Sequence, residues 1–180
     1  MSAIFTDRET PIGLVRIVEQ EGAITRVALS SDEGFAAREY GQAGTSALLR
    51  SAVQQLGEYF AGTRTVFDLP LRAEGTAFQR QAWQALCAIP YGQTRSYAQQ
   101  ARAVGRPTAT RAIGAANGRN PIAIIVPCHR VIGSDGSLTG YAGGQPVKRW
   151  LLNHEGVQTA ASSEAQARAQ LELWSAAAPS

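Results

Sequence analysis

Cysteine and histidine are nearly missing from this 180-residue chain: Cys87 and Cys128 are its thiols, His129 and His154 its imidazoles. Two cysteines build no disulfide framework, and two histidines leave too little material for a structural zinc, so no metal and no cofactor is expected. Long apolar runs are lacking as well. Nothing approaches the roughly 18 residues of a membrane span, and the opening MSAIFTDRET has no basic-then-apolar leader, so a cytoplasmic protein without membrane contact is expected. Charged residues reach only 17%, yet a hydrophobic share of 44% excludes a disordered chain. The length suits one large domain or two small ones sharing a core.

The most informative absence is that of acid. Between residues 75 and 134 there is no Asp or Glu, while Arg80, Arg95, Arg102, Arg106, Arg111, Arg119 and Arg130 give the stretch a balance of +7. Residues 1–74 balance to −3 and residues 135–180 to −1, so the net charge of +3 hides a cationic middle third. A solvated basic surface is the bland alternative, but so long a stretch without a carboxylate favours a polyanion, nucleic acid above all. Arg alone, without Lys, suits bidentate phosphate contact.

The two halves differ in pattern. Residues 13–19 and 23–29 are rich in Val and Ile and flank the turn-like Gln20-Glu21-Gly22, which predicts a hairpin; 65–69 could add a strand. Leu49, Val53, Leu56 and Phe60 recur at helical spacing, predicting an amphipathic helix over 46–60. This N-terminal α/β unit has no His, Cys or phosphate-binding glycine pattern, so it is expected to be scaffold. From Gly75 the pattern turns helical. Thr76 with Gln79 has capping-box spacing, followed by the apolar face Phe78, Ala82, Leu86 and Ile89. Ser96 with Gln99 opens a second short helix, Gly105-Arg106-Pro107 breaks it, and 108–117 forms a third. The last two make a helix-turn-helix candidate. Ala109, Ala112, Ala115 and Ala116 around Gly114 keep the final helix slim, with Arg111 its main long cation. These residues are either packing contacts with a solvated Arg or a helix that presses into a DNA groove, where Arg111 fills the space of an extruded base.

Ile122-Ala123-Ile124-Ile125-Val126 reads as a buried strand ending at Pro127-Cys128-His129-Arg130. A neutral imidazole beside a rigidly held thiol can take its proton, directly or through water, and a carboxylate can fix the imidazole's tautomer. Cys87, on a helix, is expected to be an inert buried thiol. These residues alone leave three classes open: a transferase that consumes its cysteine, a DNA-binding sensor without chemistry, and a cysteine hydrolase.

Ordered motifs narrow the choice. Ile89-Pro90-Tyr91-Gly92, Ser96-Tyr97, Arg111-Ala112-Ile113-Gly114, Asn120-Pro121 and Pro127-Cys128-His129-Arg130-Val131-Ile132 are followed by Leu138-Thr139-Gly140-Tyr141-Ala142-Gly143-Gly144 and Leu151-Leu152-Asn153-His154-Glu155-Gly156. Together they resemble the O6-alkylguanine-DNA alkyltransferases, densely from about Phe78 to Gly156. The resemblance implies an α/β (α+β) fold: a small ribonuclease-H-like α/β domain over 1–74, then a mainly helical, winged-helix-like alkyltransferase domain with the helix-turn-helix over 75–156. A tail over 157–180, rich in Ala with Leu171 and Trp174, is expected as a helix or a frayed end.

The same resemblance implies a monomer that acts on double-stranded DNA containing alkylated guanine, with O4-methylthymine as a further lesion. Cys128 would keep the alkyl group as a thioether, His129 would remove the thiol proton through a water, Glu155 would orient the imidazole, and Asn120 would brace the cysteine turn. Tyr97 would donate to guanine N3, and Tyr141 would close over the base. Backbone around Cys128, Val131 and Ala142 would read the guanine edge, with Lys148 supporting the pocket. Arg111, with Ala109, Thr110 and Tyr97, would meet the DNA. Asn117 and Gly140 depart from the family pattern around the pocket, and the zinc ligands that some members carry in the N-terminal domain are missing here.

Overall fold

The computed structural model describes residues 2–157; the expected tail helix lies outside the described residues. Strands β1 (Ile4–Thr10), β2 (Gly13–Gln20), β3 (Ala23–Leu29) and β4 (Gln42–Ala43) form a sheet in the order β3-β2-β1-β4. The expected hairpin is β2–β3. Strand β1 was not expected, because IFTDRET carries too few apolar residues to announce itself; it pairs along its whole length with β2.

Alternation puts Val15 and Ile17 of β2 with Ile24, Val27 and Leu29 of β3 on one buried face. Helix α1 (Ala47–Phe60) covers that face, with Ser46 capping the Leu49 amide. Its buried residues are Leu49, Ala52, Gln55, Leu56 and Tyr59, so the core stripe is turned slightly from the expected one, leaving Val53 and Phe60 partly buried. The opposite face of the sheet holds a smaller cluster of Val18, Ala28 and Tyr40.

The open edge of β3 is closed by backbone from later in the chain. Ile24 pairs with Leu71, where 65–69 had been expected to supply a strand; residues 65–69 form none, and the pairing is a single bridge. Val27 pairs likewise with Ile122: the Val27 amide donates to Pro121 O at 3.0 Å and the Ala123 amide to Val27 O at 3.1 Å. One edge thus joins the N-terminal sheet directly to the segment leading to Cys128.

The helical part comprises α2 (Ala77–Cys87), α3 (Tyr97–Ala103), α4 (Thr110–Gly118) and α5 (Gln145–His154). Both capping boxes, Thr76 with Gln79 and Ser96 with Gln99, are formed reciprocally. Ala82, Ala101, Ile113 and Ala116 form the small core of α2, α3 and α4, so the alanines on one side of α4 serve packing while Ala112 and Ala115 stay exposed. Between α3 and α4, Gln100 and Asn117 exchange two buried amide hydrogen bonds of 2.9 and 2.7 Å. Asn117 therefore faces the helix pair. Two-residue strands β5 (Arg95–Ser96) and β6 (Val131–Ile132) pair in parallel, Arg95 with Val131 and Ser96 with Ile132. That register sets Tyr97, the first residue of α3, beside the turn carrying Cys128.

Removing one member of the Gln100–Asn117 pair strands the other in an apolar interface. Asn117→Ala should cost about 1–3 kcal/mol in urea denaturation, and pairing it with Gln100→Leu should recover part of the loss. An unchanged midpoint in the single variant would contradict this.

Candidate active site

The run 122–126 is buried as expected but is not a strand. It turns on itself, with the Val126 amide donating to Ile122 O at 3.0 Å and the Ile125 amide to Ala123 O at 2.8 Å. Ile124 sits at φ 70°, a conformation that costs a β-branched residue about 1–3 kcal/mol and persists where surroundings enforce it. Asn120 does the enforcing. Its Oδ1 accepts from the Ile122 amide at 3.0 Å, and its Nδ2 donates to Val126 O at 2.8 Å and to Cys128 Sγ at 3.2 Å. A side-chain amide thus replaces the ladder that a strand would have used, and it touches the thiol.

Cys128 opens a 3-10 turn, Cys128–Arg130, and is 9% exposed. Burial pushes its thiol above the ordinary value, opposed by the Asn120 hydrogen bond and the Lys148 charge. A thiol held this way is not pre-ionised, so a base must act when it reacts. His129 is fully buried, and its Nε2 lies 2.9 Å from Glu155 Oε1. The carboxylate is ionised, since its pKa is about 2, so the hydrogen between them sits on Nε2 and Nδ1 holds a free lone pair. His129 Nδ1 is buried with no hydrogen-bond partner among the described residues. Burial foremost, then Arg130 and Lys148, pull the His129 pKa down against the raising effect of Glu155. The imidazole is neutral near pH 7, as a base must be.

Glu155, the C-cap of α5, is the centre of a buried network. Arg130 donates to it from Nη2 at 2.7 Å and from Nε at 2.9 Å, and also from Nη1 to Ile89 O at 2.7 Å. Tyr59 of α1 donates its hydroxyl to Oε1 at 3.0 Å. Burial resists the charge on Glu155, but His129 and Arg130 together outweigh it. Sequence reasoning named His129 as a partner of this carboxylate but missed the other two, Arg130 and Tyr59. Arg130 had been counted among cations free for a polyanion, whereas it is buried in an ion pair; Arg80, Arg102, Arg106, Arg111 and Arg119 are the exposed ones. Tyr59 left one signal, a hydroxyl-bearing aromatic on the core side of α1.

The remaining expected residues group around the thiol with one exception. Lys148 is buried, and its ammonium donates to Val131 O at 2.6 Å and Thr139 O at 3.0 Å; burial lowers its pKa to about 8. It thereby ties α5 to β6 and to the loop that carries Tyr141. Tyr97 donates its hydroxyl to Thr139 O at 2.8 Å, and a Cβ on Gly140 would lie 3.4 Å from that hydroxyl oxygen. The Tyr141 hydroxyl is buried with no partner among the described residues, and burial holds its pKa well above the ordinary value, the Cys128 charge adding to the effect. Ala142 is exposed and lines a cleft of about 390 Å³ with Asn120, Arg119, Asp32 and Arg38. Gly143 packs so closely on Leu29 of β3 that a Cβ would come within 2.9 Å of it. The exception is the start of α4, where Arg111 and Thr110 are exposed and Ala109 is half-buried, with no side-chain bond from any of them to the cluster among the described residues. One helix therefore carries Arg111 at its first turn and leads into Asn120 just past its end. Cys87 is exposed at the end of α2, contrary to the buried thiol expected. Among the described residues no group of three or more His, Cys, Asp or Glu could hold a metal, and no helix is long and apolar enough to cross a membrane.

Known proteins resemble the chain along most of its length. Residues 5–73 match the family described as 6-O-methylguanine DNA methyltransferase, ribonuclease-like domain, and residues 77–157 the one described as 6-O-methylguanine DNA methyltransferase, DNA binding domain. The constitutive methylated-DNA–protein-cysteine methyltransferase of Bacillus subtilis is 51% identical over 155 residues, covering 84% of this chain and 94% of that one. The crystal structure of the Mycobacterium tuberculosis O6-methylguanine methyltransferase superposes with a TM-score of 0.79 at 45% identity, covering 85% and 92% of the two chains. A Mycobacterium tuberculosis OGT in complex with DNA gives 0.78 at 44% identity, covering 84% and 92%.

The buried network makes stability depend on pH with a definite sign. The folded-state pKa values of His129 and Glu155 both lie below their ordinary values, so each contributes stability that is complete above the ordinary value and lost as pH falls. Loss should begin below 6.5 with His129 and continue from 4.5 to about 2 with Glu155. Glu155→Gln should flatten the lower stage while costing about 3–5 kcal/mol near neutrality, because Arg130 is left buried and unpaired. Denaturation midpoints across pH check both statements; a variant as stable as the parent at pH 7 would contradict them.

Proposed function

The chain belongs to the 6-O-methylguanine DNA methyltransferase family, and on that footing we propose that Cys128 is the acceptor that takes the alkyl group from O6-alkylguanine in duplex DNA. The activity class is that of the methylated-DNA–protein-cysteine methyltransferases, and the process is DNA repair. The observation that carries the residue assignment is the free, buried Nδ1 of His129 on the residue next to a buried thiol, with Nε2 committed to Glu155.

His129 Nδ1 takes the Cys128 proton through a bridging water, and the sulfur attacks the alkyl carbon. The carbon–O6 bond breaks, its electrons remain on guanine, and one proton reaches the departing base. The thiol hydrogen has thus been exchanged for the alkyl group, and the thioether leaves no route back, so each protein acts once. Full ionisation of an ordinary thiol would raise its reactive fraction by only about ten- to thirtyfold at pH 7. The elevated Cys128 pKa enlarges what the base must supply, while holding sulfur in line with the carbon contributes several kcal/mol more. Tyr97 neutralises the leaving base at N3, redirecting the hydrogen it gives to Thr139 O in the free protein. Tyr141 closes over the base, and the backbone at Val131 and Ala142 reads its edge. Lys148 holds Val131 O and Thr139 O in place, so its role is to shape the pocket. O4-methylthymine offers a similar alkylated oxygen and is the second substrate proposed.

Duplex DNA hides this oxygen from any buried thiol, so the nucleotide must leave the stack. Helix α4, slim at Ala112 and Ala115 and bearing exposed Arg111, is the element proposed to enter the groove, with Arg111 filling the gap. The other exposed arginines would contact phosphates. A chain expected to work as a monomer needs no second copy for any of these steps.

Duplex DNA labelled in the methyl group of O6-methylguanine should pass its label to the protein, up to one equivalent, and Cys128→Ser should abolish the transfer. Label retained by DNA would support a sensor without chemistry, and repeated turnover of an ester without DNA would support a hydrolase. Arg111→Ala should slow transfer from duplex DNA at least tenfold more than transfer from the free modified base, on the order of the unstacking cost of a few kcal/mol. Equal losses on both would remove Arg111 from the proposed role.

A further inference from the structure

We infer that Tyr59, which lies in the N-terminal unit outside the cysteine domain, is a positioning residue for alkyl transfer, holding Glu155 in the state that keeps His129 a working base. The inference rests on the functional reading above and deepens it.

Tyr59 is fully buried, and it binds two successive residues of the other unit. Its hydroxyl donates to Glu155 Oε1 at 3.0 Å, and its carbonyl accepts from His154 Nε2 at 2.6 Å. A carbonyl only accepts, so the His154 hydrogen is on Nε2. The Tyr59 ring is fixed by edge contacts with Phe60, Tyr91 and His154, and His154 is itself stacked on Trp150 at 4.8 Å. A phenol so enclosed has little rotational freedom, and its hydrogen is committed to one carboxylate oxygen.

That oxygen is the one His129 uses. Oε1 accepts from His129 Nε2, Arg130 Nη2 and Tyr59, while Arg130 Nε is shared between Oε2 at 2.9 Å and Oε1 at 3.3 Å. Every donor on a carboxylate oxygen spreads its charge and weakens its pull on the others. Without the Tyr59 hydroxyl, Oε1 draws the imidazole hydrogen harder and favours imidazolium, which cannot take the thiol proton. The charged and titratable groups facing this pair are Arg130 from the cysteine turn, Lys148 and His154 from α5, Tyr91 before β5, and Tyr141 from the loop before α5. None of these makes a bond like that of Tyr59: the three nitrogens of Arg130 are engaged with Glu155 and Ile89 O, Lys148 is bound to two carbonyls, Tyr91 donates to His154 O at 3.3 Å, and the Tyr141 hydroxyl makes no hydrogen bond among the described residues. The unit expected to be scaffold thus reaches the chemistry through one hydroxyl.

The test is single-turnover transfer from O6-methylguanine duplex across pH, with the full-length protein, Tyr59→Phe and Tyr91→Phe. Tyr59→Phe should move the acid limb of the rate profile up by about half a unit to one unit, a three- to tenfold loss on that limb. Its plateau should change less, and its DNA affinity should match the parent. Tyr91→Phe loses a hydroxyl bond made within the cysteine domain, to His154 O and not to Glu155, and its limb should stay in place. If Tyr59→Phe does not fold, 3-fluorotyrosine placed at position 59 alone keeps the ring's shape and makes the phenol a stronger donor, and the limb should move down instead. A uniform loss at all pH values, an unmoved limb, or an equal shift in Tyr91→Phe would overturn the inference. Failure of label transfer in the parent protein would instead strike the functional reading, so the two are distinguished.

Discussion

A single carboxylate, that of Glu155, holds the site together. It is 4% exposed, and it accepts hydrogen bonds from His129, Arg130 and Tyr59, which belong to the cysteine turn and to α1. Burying an anion costs several kcal/mol unless its lone pairs are filled, and these three donors together fill them. Arg130 balances the charge, and that balance leaves His129 free to stay neutral. The network therefore keeps the imidazole beside the thiol neutral, and it ties α5, α1 and the cysteine turn to one another.

A second constraint operates on the other side of Cys128. The strained turn at Ile124 exists because Asn120 occupies its carbonyls and amide, and the same Asn120 amide reaches the sulfur. Asn120 follows the C-cap of α4 directly, so the end of that helix is tied to the thiol. Lys148 completes the frame by pulling β6 and the Thr139 loop together. Helix α4, the cysteine turn and the Glu155 network are thus connected, and the N-terminal sheet joins them through the Val27–Ile122 pairing.

Much of this could be read from sequence where local chemistry is self-contained. Capping boxes at Thr76 and Ser96 name their own helices, and alternating Val and Ile name β2 and β3. The motif around Cys128 pointed to the thiol, and the order of the motifs pointed to the family. What could not be read depends on partners far along the chain. An unbroken apolar run looks like a strand unless one knows that a side-chain amide will take over its hydrogen bonds, as Asn120 does for 122–126. Arg130 looks like one more basic residue until Glu155 is placed against it. Tyr59 looks like core until α5 arrives ninety-six residues later to receive its hydroxyl. Strand β1, half polar, is specified by its neighbours β2 and β4 more than by its own sequence.

The most direct measurement is peptide mass spectrometry after the protein has met one equivalent of duplex carrying O6-methylguanine. The account predicts one methyl group in place of one hydrogen on the peptide containing Cys128, none on that containing Cys87, and recovered guanine in the DNA. An unmodified Cys128 peptide alongside repaired DNA, or methylation at Cys87 instead, would contradict it.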